Sequence, residues 1–143
     1  MPRKEEMSLQ ALVGFYQTLT PDSLSRLGAF YTEDAWFKDP FNEVRGLPAI
    51  EKIFRHMFAT LQAPRFVVTE QIADANGAVL LWTFYFHGRG GEWSMRGASH
   101  LRFAADGRVC HHRDYWDTGE ELFMKLPVLG WLWRGVRRLL AAR

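Results

Sequence analysis

Apolar residues in the first sixty positions recur every three or four residues, and from residue 65 onward the period falls to two. Leu9, Leu12, Val13 and Tyr16 follow Ser8, a residue type that caps helices, and predict a helix to about residue 19. Thr20-Pro21-Asp22 restarts the chain as a second helix to about residue 30, with proline in its first turn and Leu24, Leu27 and Phe30 as its stripe. AWFKD at 35–39 reads as a short strand stopped by Pro40, with Phe37 and Asp39 on one face. Gly46-Leu47-Pro48 opens a third helix to about residue 61, whose stripe is Ile50, Ile53, Phe54, Met57 and Phe58.

Strands are predicted at 65–74, 78–87, 92–104 and 108–117, separated by Asn76-Gly77, the glycine-rich 88–91 and Asp106-Gly107. Asn-Gly and Asp-Gly turns favour hairpins, so this half is an antiparallel meander. Helices first and a meander after them define an α+β fold with helices packed on one face of a curved, mostly antiparallel sheet. In the tail, 120–126 reads as a short helix, Pro127 and Gly130 as breaks, and a second helix starts at Trp131. We expect one domain over 1–117 and a basic amphipathic tail over 118–143, packed on that domain or extending from it.

Composition sharpens this. Aromatics make up 15% of 143 residues, with six Trp and eleven Phe, which favours a wide apolar interior or a pocket. A single cysteine excludes an intrachain disulfide, and the start MPRKEEMSLQ leads into no apolar signal core, so a cytoplasmic location is expected. Every acidic residue lies at or before Glu121. That portion holds 13 basic and 16 acidic residues, a net of −3, while the tail after it is +5. An acidic body argues against nucleic acid as the partner.

Candidate chemistry is densest in GRVCHHRDYWD at 107–117. Alternation puts Cys110, His112, Asp114 and Trp116 on one face, and a carboxylate and an imidazole beside Trp suggest a lined cavity. Cross-strand salt bridges are the plainer alternative. His112 and Asp114 are two strand residues apart, roughly 7 Å between Cα atoms, so an Asp-oriented His could serve as a general base. Cys110 with the same two residues has the types of a thiol triad but is poorly disposed on one strand. Adjacent His111 and His112 face opposite ways, which argues against a metal site, and Gly88–Gly91 opens no helix, so it is a hairpin and not a phosphate loop. Asp39 could act as a base if buried beside Phe37, or could simply accept backbone N–H groups in its turn. Further wall candidates are Leu80, Trp82, Phe84 and Phe86 on one strand and Trp93, Met95, Ser99 and Leu101 on the next, and their natural occupant is a small lipophilic molecule with one polar end.

Two helices, a strand ending in Asp-Pro (KDPF), a helix entered through RGLPAI and a meander ending in RDYWD together resemble the cone-shaped nuclear transport factor 2-like superfamily, and within it SnoaL-like and ketosteroid-isomerase-like bacterial proteins. The resemblance covers roughly residues 9–117. It implies a bent sheet around a deep pocket closed by helices, a homodimer, and chemistry without metal or organic cofactor. Against the isomerases, Tyr16 matches the oxyanion donor and Asp39 the proton shuttle, while Ser99 stands in place of the acidic donor and Phe54 in place of a supporting tyrosine. RDYWD is also similar to a segment of limonene epoxide hydrolases whose first Asp orients water. Asp114 matches that residue, but the strand that should supply a charged pair reads LWTFY at 81–85.

These resemblances imply an acid–base isomerase, cyclase or hydrolase acting on a steroid, terpenoid, polyketide or fatty-acid-like compound. Asp39, Asp114, His112 and Tyr16 are the catalytic candidates. Phe37, Phe54, Phe58, Trp82, Phe84, Met95, Ser99 and Trp116 are the ligand-binding candidates. The alternatives are a non-catalytic binder of the same ligands and a dimeric adaptor using the outer face of the sheet. The helix from Trp131 sets Leu132, Trp133, Val136, Leu139 and Leu140 against Arg134, Arg137 and Arg138. That pattern fits either packing on the body or peripheral contact with an anionic membrane.

Overall fold

The computed structural model describes residues 4–88, 90–116 and 127–141. Helix α1 (Lys4–Gln17) leads to a 3-10 turn (Asp22–Arg26) and a single α-turn, α2 (Leu27–Phe30). Strands β1 (Tyr31–Lys38) and β2 (Glu43–Arg45) precede helix α3 (Leu47–Thr60). The meander follows as β3 (Gln62–Asp74), β4 (Gly77–Gly88), β5 (Gly91–Phe103) and β6 (Val109–Trp116), and α4 (Pro127–Leu140) ends the described chain. The six strands form one sheet in the order β2-β1-β6-β5-β4-β3. All pairs are antiparallel except β1 with β6, which is parallel and joins the N-terminal half to the end of the meander.

Several boundaries differ from the sequence pattern for physical reasons. Helix α1 begins four residues before Ser8, where Lys-Glu-Glu-Met supplies good helix formers and acids suited to a helix N-terminus. The expected second helix is mostly a 3-10 turn. Strand β1 starts at Tyr31 and not at residue 35; a register shift between Tyr31 and Trp36 lets it bury Tyr31, Ala35 and Phe37 while Glu33 and Asp34 stay out. One extra residue on β6, between the pairs Arg102–His111 and Phe103–Val109, interrupts alternation. Val109 and His112 are therefore both buried, and Cys110 leaves the predicted face; its thiol reaches the Arg102 carbonyl at 3.5 Å. Helix α4 runs unbroken from Pro127, because proline at a first helical position lacks only an N–H that would be unpaired anyway, and Gly130 costs about 1 kcal/mol without stopping the helix. The expected helix at 120–126 lies outside the described residues.

The helices cover one face of the sheet and divide its interior into two parts. At one end α1, the 3-10 turn and α2 close a filled core in which Leu24, Tyr31, Ile50, Leu80, Leu101 and Val109 are fully buried. The side-chain amide oxygen of Gln17 accepts from the Val68 N–H at 2.8 Å and ties the end of α1 to β3. At the other end α3 stands off the sheet and leaves a cavity. Gly46 sets the entry of α3. Its φ of 100° and ψ of 148° belong to a region that side chains rarely adopt, and its N–H bonds the Ala35 carbonyl at 2.8 Å. A Cβ there would meet nothing closer than 3.7 Å, so backbone strain alone decides its cost. Gly46→Ala should lower stability by about 1–3 kcal/mol. Urea denaturation checks this, and an unchanged midpoint would show that the helix entry relaxes freely.

Candidate active site

Parallel pairing of β1 with β6 sets Phe37 beside His112, and antiparallel pairing of β5 with β6 sets Ser99 beside Asp114 and Leu101 beside His112. Trp82 pairs with Gly97, where a Cβ would lie 2.4 Å from the indole ring, so only glycine lets that ring lie flat across β5. The outcome is one chain of buried polar contacts. Trp82 Nε1 donates to Ser99 Oγ at 2.8 Å, and Ser99 Oγ donates to Asp114 Oδ1 at 2.5 Å. His112 Nε2 lies 2.5 Å from the same carboxylate oxygen, Tyr31 Oη lies 2.6 Å from His112 Nδ1, and Tyr16 Oη bonds Tyr31 Oη.

The proton positions along this chain follow from its ends. An indole N–H can only donate, so the Ser99 hydroxyl accepts there and gives its own proton to Asp114 Oδ1. The same oxygen accepts from His112 Nε2–H. With the imidazole neutral, Nδ1 accepts from Tyr31, whose oxygen accepts from Tyr16, and every donor is matched. Both tyrosine pKa values are pushed up. Burial is the main cause, with the Asp114 charge adding to it in each and Tyr16 also raising Tyr31. Both hydroxyls remain donors.

The cavity beside this chain measures about 670 Å³. Phe37, Phe54, Phe66, Trp82, Phe84, Met95 and Trp116 form most of its wall, and Asp39 and Asp114 both line it. Exposed Phe41, Lys52, His56 and Thr60 frame its mouth. A recess of about 20 Å³, bounded by Tyr16, Ser99, His112 and Asp114 among others, lies beyond it. A shallower groove of about 620 Å³, bordered by Lys38, Arg96 and Arg113, meets the cavity at Asp39, Asp114 and Trp116. The two carboxylates differ sharply. Asp39 Oδ1 receives the N–H groups of Phe41 and Asn42 at 2.8 and 2.6 Å, and the Asn42 amide reaches both of its oxygens at 3.2 Å. Asp39 is thereby occupied in closing the β1–β2 turn. Asp114 takes both of its bonds on Oδ1, and among the described residues none reaches Oδ2.

The predicted residues thus fall into groups. Asp39, Asp114, Phe37, Phe54, Trp82, Phe84, Met95 and Trp116 line the cavity, and Tyr16, His112 and Ser99 sit around the recess behind it. Phe58 is not among the lining residues: four residues after Phe54 on α3, it is partly buried and packs against the hydrophobic core. The polar pair at the mouth, Lys52 and His56, is spaced one helical turn apart on α3 and escaped a reading of that helix by its apolar stripe. Tyr31, which joins Tyr16 to His112, also escaped. Its only trace is shared parity with Ala35 and Phe37, hidden by the exposed residues between. His111 faces outward as expected, its ring tilted against Trp36 with centroids 4.6 Å apart, and its pKa is lowered by partial burial and by nearby His100. Among the described residues no group of three or more His, Cys, Asp or Glu is placed to hold a metal ion.

Helices over a curved mixed sheet with a cavity between them define the nuclear transport factor 2-like cone. The chain belongs to the SnoaL-like domain family, whose model matches residues 12–112. Among solved structures, a nuclear transport factor 2-like protein of unknown function from Burkholderia pseudomallei is 17% identical with a TM-score of 0.71, over 99% of this chain and 100% of that one. A Shewanella putrefaciens protein provisionally assigned as a SnoaL-like polyketide cyclase is 19% identical, with a TM-score of 0.67 over 87% of this chain and 88% of that one. A provisional SnoaL-like isomerase from Agrobacterium tumefaciens is 14% identical, with a TM-score of 0.63 over 78% and 95%. Such identities establish shared fold and nothing finer. A comparison with curated proteins finds no match.

Tyr16 and Tyr31 also make stability depend on pH. Their folded pKa values exceed the unfolded value near 10, so stability is intact below pH 10 and falls above it, where the unfolded chain releases protons that the native state retains. With two such groups the slope approaches about 2.7 kcal/mol per pH unit. Thermal melts between pH 9 and 11 should show this decline, and the Tyr16→Phe/Tyr31→Phe double variant should lose most of it. An equally steep decline in the double variant would place its origin elsewhere.

Proposed function

We propose that this protein is an acid–base enzyme, an isomerase or cyclase, acting on a small lipophilic carbonyl compound held in the aromatic cavity, with Asp114 as the base. One observation carries this: a carboxylate braced through Oδ1 by Ser99 and His112 lines a cavity walled by rings, and among the described residues no hydrogen bond reaches its Oδ2. Asp114 Oδ2 takes a proton from carbon next to the carbonyl and returns it at another position, or leaves an enolate to attack a second carbonyl within the same molecule. His112 and Ser99 hold the carboxylate in place, and both nitrogens of His112 are already bonded, so it positions the base rather than replacing it. The family and the polyketide cyclase and isomerase assignments of its structural neighbours support this class. Steroid-, terpenoid-, polyketide- and fatty-acid-like molecules all suit the apolar wall. The outer sheet face, with Trp36, Leu81 and Tyr115, is the surface on which a homodimer would form.

A second reading, a non-catalytic binder of the same ligands, draws on a different observation. Tyr16, the matched oxyanion donor, gives its proton to Tyr31 and lies at the recess instead of in the main cavity wall. Donors aimed at a developing oxyanion supply much of such catalysis.

Exchange of deuterium from heavy water into a panel of lipophilic enolisable ketones separates the two. Asp114→Asn should cut exchange by about 100-fold or more while ligand affinity, followed by tryptophan fluorescence, stays within a few-fold. Asp39→Asn should keep exchange within about ten-fold and instead cost roughly 1 kcal/mol of stability through its weakened turn. Ligand binding with no exchange, or exchange indifferent to Asp114→Asn, would favour the binder.

A further inference from the structure

We infer that α4 is a docking surface for anionic membrane, a role independent of what the cavity does. Its described side chains fall on two unlike sides. Trp131, Leu132, Val136, Leu139 and Leu140 are all exposed, Leu139 and Leu140 to 85% and 80%, so this apolar side is not packed on the body of the protein. At 3.6 residues per turn these five positions span about half of the helix circumference, from Trp131 at one edge to Leu140 at the other. Arg134, Arg137 and Arg138 occupy the remaining arc, also exposed. No acidic residue follows Glu121, so nothing within this helix neutralises them.

Free exposure of five large apolar side chains in water is unfavourable. The occupant that removes this cost must accept a broad apolar arc and three cations together. A lipid interface does both: the apolar side enters the acyl boundary, tryptophan sits at the headgroup level, and arginines reach phosphate. A second copy of this helix would bring like charges together along its flanks. The fourteen described residues of the helix cover about 21 Å, short of a hydrocarbon core of about 30 Å. Among the described residues no helix is long and apolar enough to cross a membrane. The helix therefore lies in the plane of the surface.

The test is co-sedimentation of the full chain with vesicles of phosphatidylcholine alone or mixed with phosphatidylglycerol, at low and high salt. The full chain should bind the mixed vesicles, bind neutral ones far less, and release as salt rises. With each arginine contributing about 1 kcal/mol near such a surface, Arg134→Gln/Arg137→Gln/Arg138→Gln should weaken binding by about 100-fold. Leu139→Asp/Leu140→Asp should abolish it, with an unchanged melting temperature as the control for folding. Equal binding by the glutamine variant, or none by the full chain at low salt, overturns the proposal. So does a dimer that becomes a monomer in the aspartate variant without vesicle binding, which would assign the apolar side to a second copy. Heparin binding that survives the aspartate change, with no vesicle binding, would assign the arginines to a soluble polyanion. None of these readouts uses turnover, so they stand or fall apart from the assignment of Asp114.

Discussion

A buried indole can give a hydrogen bond but cannot take one, and from that asymmetry at Trp82 the order of the whole interior chain follows. Ser99 must face Trp82 with a lone pair, which turns its proton to Asp114, which in turn receives His112. Removing an acceptor from such a chain leaves a buried donor unmatched, at about 1–3 kcal/mol. The chain also spans the sheet, from β4 through β5 and β6 to β1, and ends on α1. It fastens the parallel strand pair, where closing the fold depends on residues far apart in sequence.

The same chain separates the filled end of the cone from the hollow one. Tyr31, Leu80, Leu101 and Val109 lie on one side with no solvent exposure, and the cavity lies on the other. A hollow interior sacrifices packing, and rings tolerate this better than aliphatic chains because each stays rigid with two side-chain angles while contacting its neighbours. Phe66 meets Trp82 edge-on at 5.4 Å and Phe84 at 4.7 Å, and Phe37 meets Phe54 at 6.2 Å. The high aromatic content visible in the sequence is therefore a property of the cavity wall.

What the sequence made legible was what repeats. Period-two alternation placed Trp82, Phe84, Met95 and Ser99 on the inward face, and helical spacing placed Ile53 and Phe54 over them. Bulges were not legible: neither the extra residue that turns Cys110 away nor the irregular stretch that hides Tyr31 leaves a local pattern, because both answer to the register of a partner strand. The start of α4 is hidden for an opposite reason, since Pro127 and Gly130 carry strong local preferences that a helix start and an amphipathic run override.

The two aspartates show why a site is harder to read than a fold. Asp39 sits at the more suggestive motif, an Asp-Pro at the end of a buried strand, and its environment is local: the N–H groups of Phe41 and Asn42 lie two and three residues on. Those bonds satisfy the carboxylate within its own turn. Asp114 lies among histidines and arginines on a strand that alone suggests surface ion pairs, yet its partners come from β5 and from its own strand two residues away. Local sequence can supply a carboxylate with a turn to hold. Only the assembled sheet can brace one oxygen from two strands at the wall of a cavity and leave the other, among the described residues, without a hydrogen bond.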